Sequence, residues 1–133
     1  MPQCECGGKN VIIYSCSCGS NVGQIANDAA KTLDRLGKGI MGNMAGIGIQ
    51  MDSTVSASKK ADTRVVIDGC SVSCVRDALD KAELKVDLHI VVTDLDIKKE
   101  HNFEYTNDQV NAVVEEVVDK LKTAHTCSAK GDD

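Results

Sequence analysis

"VVIDGCSVSC", residues 65–74, decides the fold. The apolar run begins at Thr63, is rich in β-branched residues and stops at Asp68-Gly69, as a strand running into a turn does. Behind it Val72, Val75, Leu79 and Ala82 recur at three- and four-residue steps, the stripe of a helix. A strand that is apolar at consecutive positions and runs straight into a helix is the signature of a parallel sheet covered on both faces.

The same alternation extends in both directions. "NVIIYS" (10–15) reads as a strand, and Ser20 opens a helix carried by Val22, Ile25, Ala29, Leu33 and Leu36, with Gly37 as its stop. "KVDLHIVVTD" (85–94) is a further strand, and the last helix is expected over 107–123, with Val110, Val113, Val114, Val117, Val118 and Leu121 facing inward. Between them, a weak strand at 39–45 and a helix at 52–61 complete four βα units. The expected fold is α/β in three layers: a four-stranded, mainly parallel sheet of order 2-1-3-4, with helices on both faces and right-handed crossovers. Residues 1–9 are expected to be a flexible, cysteine-containing N-terminal tail, 10–124 the single domain, and 125–133 a polar C-terminal tail.

Composition excludes several function classes. A length of 133 residues suits one domain. Aromatic residues make up 2% of the chain, which leaves no stacking platform for single-stranded nucleic acid. A net charge of −5 argues against nucleic acid and anionic membranes as partners. The N-terminus "MPQCECGGKN" lacks the basic and apolar regions of a secretory signal. No run approaches the roughly 20 apolar residues of a membrane span. The expectation is a cytoplasmic protein.

The cysteines carry the chemistry. There are 7, an odd number, so full pairing is impossible, and in a reducing compartment structural disulfides are disfavoured. In a parallel sheet the C-terminal strand ends share one edge, where ligands bind. Cys16 and Cys18 follow the first strand, and Cys70 and Cys74 follow the third. If those strands are neighbours, the two pairs converge, and four thiolates suit tetrahedral zinc. The gaps of one and three residues are not those of a zinc ribbon. Copper(I) or an iron–sulfur cluster suits the same soft donors. A metal ion is thus the expected partner.

Two thiol readings stand beside the metal. Cys70 and Arg76 have the spacing of a cysteine-phosphatase loop, although Asp77 stands where those enzymes carry Ser or Thr. Cys16 or Cys18 could also pair with Cys70 or Cys74 as a redox switch, given a Cα separation under about 7 Å. Ser20 reads either as a cap bonding the amide of residue 22 or 23, or as the entrance to an anion site at the helix start. His89, inside a strand, reads as a core or sheet-face residue; His101 and His125 lie in polar surroundings. Cys4 and Cys6 read as a separate scavenging tail or as having no role, and Cys127 as an ordinary tail residue.

"VVIDGCSVSC" together with "CSCGSNVGQ" resembles the signatures of the DGC-domain family, small prokaryotic proteins described as zinc-binding and named for the tripeptide present here as Asp68-Gly69-Cys70. The resemblance runs from about Val11 to Lys99. It implies a zinc site of four cysteines and no established reaction. Cys16, Cys70 and Cys74 match that pattern directly. Where the fourth is expected this chain has Asn43-Met44, while Cys18 stands at a position commonly glycine, so Cys18 is taken as the substitute ligand. Asp68 and Gly69 are expected to shape the turn that aims Cys70, Gly69 by a backbone conformation closed to other residues. Asn43 and Ser20 are expected to line the site.

Overall fold

A computed structural model describes residues 10–124. The chain runs β1 (Val11–Ser15), α1 (Asn21–Arg35), β2 (Ile40–Met41), α2 (Met44–Gly48), α3 (Asp52–Lys60), β3 (Thr63–Asp68), α4 (Cys74–Lys81), β4 (Leu88–Val91), a 3₁₀ turn (Val92–Leu95) and α5 (Asn107–Ala124). The sheet is parallel throughout, in the expected order β2-β1-β3-β4. β1 and β3 pair from Val11↔Thr63 to Ser15↔Ile67.

β3 is buried at every residue, because helices cover both faces of the sheet. Val65 and Ile67 point to one side and pack with Val22, Ile25 and Leu33 of α1 and Val113 and Val117 of α5. Val66 points to the other side and meets Ile47 of α2 and Val75 and Leu79 of α4. Each such aliphatic side chain contributes about 1.5–3 kcal/mol by leaving water. Period-two alternation along the strand thus sorts one sequence run into two cores.

α1 ends as its sequence dictates. Gly37 takes φ +75°, and the amides of Gly37 and Lys38 donate to Asp34 and Leu33, a Schellman closure that satisfies the last carbonyls. The glycine-rich segment departs from expectation. Only Ile40 and Met41 remain extended, and Asn43 opens α2 by accepting from the Gly46 amide at 3.2 Å. Asn43 is therefore a helix cap.

α4 also begins later than its apolar stripe suggests. Val72 lies in the turn before it and is 63% exposed, whereas Val75 and Leu79 are buried. At the other end of the sheet, Arg64 is buried and donates to the carbonyls of Ser58, Ala61 and Lys85, with Asp87 at 3.3 Å from its guanidinium.

Candidate functional site

Strand adjacency brings the two cysteine-bearing loops together. The β1–β3 ladder continues one residue past β1, with the Cys16 amide donating to Ile67 at 2.9 Å. Gly69 then packs directly on the start of α1. A Cβ there would lie 3.0 Å from the Gly23 nitrogen and 3.1 Å from the Val22 carbonyl carbon. Among the described residues Gly37 is the glycine with positive φ, so Gly69 serves by its lack of volume. This corrects the expectation of a special backbone conformation.

The first loop is tied down from within. The Ser20 hydroxyl accepts from the Gly23 amide at 3.0 Å, the ordinary cap, and lies 3.1 Å from the Cys18 sulfur. That sulfur sits over the first turn of α1, where a Cβ on Gly23 would come within 2.5 Å of it. Gln24 donates to the Cys18 carbonyl and the Ser17 hydroxyl. Burial, then the neighbouring Cys18 thiol, push the Cys16 pKa up to about 11, against an amide contact from Gly69 that pulls it down. Cys16 is a protonated thiol at neutral pH.

The second loop is held by a group on its strand. Asp68, 1% exposed, accepts from the amides of Val75 at 2.9 Å and Arg76 at 3.3 Å, and His89 Nε2 lies 2.8 Å from its Oδ2. A buried carboxylate needs such partners. It also neutralises the positive end of α4. Ser73 adopts φ 58°, and its amide donates to the Cys70 carbonyl, closing the turn.

A third segment completes the rim. Asn21, 6% exposed, accepts the Glu100 amide at 2.7 Å, donates its side-chain amide to the Lys98 carbonyl at 2.8 Å, and gives its own backbone amide to the Glu100 carbonyl. This clamp sets Lys99 Nζ 3.4 Å from Cys70 Sγ. The hydrogen bond to Cys70, then the charge of that sulfur, raise the Lys99 pKa, and Cys18 and Cys16 act in the same direction. Three sulfurs and one ammonium therefore share the C-terminal edge.

They do not form a metal centre. Among the described residues no group of three or more His, Cys, Asp or Glu side chains is arranged to hold a metal ion. The expectation of zinc on Cys16, Cys18, Cys70 and Cys74 is overturned, together with its copper(I) and iron–sulfur variants and the metal ion as partner. The physical reasons are local. Cys18 turns toward Ser20 and Gly23, Cys16 is held as a thiol, and Cys70 has the Lys99 ammonium 3.4 Å from its sulfur. Cys74 opens α4 as an exposed residue.

The redox pair fails too: all four of these cysteines are free thiols. The phosphatase loop also does not fit. The Val75 and Arg76 amides that would cradle phosphate are taken by Asp68, and the Arg76 guanidinium pairs with Asp77 at 3.6 Å. Cys4, Cys6, His125 and Cys127 lie outside the described residues.

The residue pattern at this rim has relatives. The family model described as the DGC domain matches residues 12–117. The chain belongs to the DGC domain family. A Pseudomonas aeruginosa protein named "Anaerobic and virulence modulator AnvM" is 33% identical over 90 residues, covering 68% of this chain and 69% of its own length. No solved structure matches the chain. Nor does any helix among the described residues of this DGC domain have the length and apolarity to cross a membrane.

Sequence reasoning placed Cys16, Cys18, Cys70 and Cys74 of the DGC domain on one edge but missed Lys99, Asn21 and the contact of His89 with Asp68. Lys99 reads as one more surface lysine in "DIKKEHN". The available signal was a polar Asn at the first helical position of α1, which a capped helix start does not itself require.

Proposed function

We propose that this DGC domain is a regulatory thiol protein in which Cys70 is the reactive group, and that covalent modification of its sulfur alters the surface offered to a partner. The observation that carries this is the Lys99 ammonium 3.4 Å from Cys70 Sγ, on a segment locked in place by Asn21. The ammonium stands beside a partly exposed sulfur, where it stabilises the negative charge carried by that sulfur as it attacks an electrophile. The sulfur bonds to the electrophilic atom, and the leaving group departs with its electron pair. The relative's name supports regulation over turnover, since it describes that protein as a modulator. The engagement of the Val75 and Arg76 amides by Asp68 points the same way, because those donors are already spent on the protein's own carboxylate.

Mass-resolved alkylation with limiting iodoacetamide tests the reading, with Cys18 and Cys74 as exposed reference thiols within the same chain. Cys70 is expected to react first, by about tenfold over Cys74. Equal labelling of the two would overturn it.

A further inference from the structure

Resting on that reading, we propose that the Cys70 site selects small anionic electrophiles, those bearing a carboxylate or sulfonate close to the reacting atom. Charge conservation at the rim is the basis. Before reaction, the Lys99 ammonium is hydrogen-bonded to the Cys70 sulfur and lies near Cys18 and Cys16. Alkylation or thiolation turns the Cys70 sulfur into a neutral thioether or disulfide, which leaves the ammonium beside a neutral sulfur.

The backbone on both sides of Lys99 is bonded to Asn21, which places the base of its side chain beside Cys70. The ammonium there is solvent-exposed. Two carboxylates of this rim have other partners. Asp68 is buried under α4 and bonded to His89, and Glu100 takes a bond from the side chain of Asn102. An adduct that carries its own negative charge gives the ammonium an ion-pair partner, and a neutral adduct does not.

The chain as a whole is negatively charged, at −5. An anion approaching elsewhere meets net repulsion, which makes the local cation at this thiol the distinguishing feature. With iodoacetate as the electrophile, the Cys70 sulfur gives its proton to solvent and attacks the methylene carbon, the carbon–sulfur bond forms, and iodide leaves with the bonding pair. The carboxylate ends beside the Lys99 ammonium.

Iodoacetate and iodoacetamide differ in charge and little in size, so their rate ratio at each cysteine isolates the effect. That ratio is expected to be about two- to fivefold higher at Cys70 than at Cys74. The excess is expected to shrink at high ionic strength and to vanish in Lys99→Gln, with Lys99→Arg retaining it. An equal ratio at Cys70 and Cys74, or one that survives Lys99→Gln, overturns the proposal. Fast iodoacetamide labelling of Cys70 without any iodoacetate preference would overturn this inference alone. Slow labelling by both reagents would instead overturn the reading beneath it.

Discussion

Two loops leave the same edge of the sheet, residues 16–20 after β1 and residues 69–73 after β3, and they solve the same problem differently. Each carries a cysteine out of a buried strand and into a helix whose first amides need acceptors. The first loop caps its helix from within, through Ser20, and keeps its half-buried thiol protonated. The second is capped from the strand itself, by Asp68 reaching α4 across the turn, and its thiol meets a cation. With the cap moved back into the strand, the residues of the second loop are free to present a reactive group. Backbone position makes the cysteines neighbours, but the partners of each sulfur determine what it can do.

The largest expected effect tests the caps. Asp68→Ala orphans the buried Val75 amide, the part-buried Arg76 amide and the His89 ring, and should cost about 2–4 kcal/mol in urea unfolding. Ser20→Ala, which removes a single cap bond, should cost about 1 kcal/mol. Equal losses would erase the distinction between a cap in the loop and a cap in the strand.

Asn21→Ala sharpens the contrast from the third segment. It removes both side-chain bonds to residues 98–100 and should cost about 1–3 kcal/mol. Cys70 alkylation should also slow to the rate of an ordinary exposed thiol. Lys99→Met should slow Cys70 similarly while leaving the urea midpoint unchanged, because that side chain is exposed. A variant that slows Cys70 with no loss of stability separates the cation from its scaffold.

The smallest effect concerns Cys16 and pH. Its folded pKa, about 11, lies above the ordinary 9.0, so the unfolded chain releases this proton first as pH rises. The stability held by the protonated form is present below about pH 9 and is lost as pH climbs through about 11. Alkylation of Cys16 should lag behind Cys70 at neutral pH and catch up only toward strongly alkaline conditions. A Cys16 that labels as fast as Cys70 at neutral pH would break the comparison.

Much of the architecture is legible in the residues because it is set locally. Alternating apolar runs, Ser20 and Gly37 mark strands and helix ends within a few positions of where the chain forms them. The strand order is the expected 2-1-3-4. The start of α4 was not legible, since its cap comes from Asp68, seven residues before Val75, and Val72 fits the helical stripe without being part of the helix. The buried Arg64 escaped for a related reason: the carbonyls of Ser58, Ala61 and Lys85 converge on it only in three dimensions. At the site, counting sulfurs suggested a soft metal. The count carries no information on where each sulfur points, and here Ser20 and Lys99 decide that.

The stretch holding Lys99 is pegged at both ends, by Ile97 in the core and by Tyr105, whose hydroxyl donates to Asp28 on α1. Between them Asn21 fixes Lys98 and Glu100. Such a staple has no slack. One residue inserted between Ile97 and Glu100 would rotate the cation out of line with its sulfur even if every peg held, so the spacing of "IKKE" is as much a determinant of this rim as the identity of its lysine.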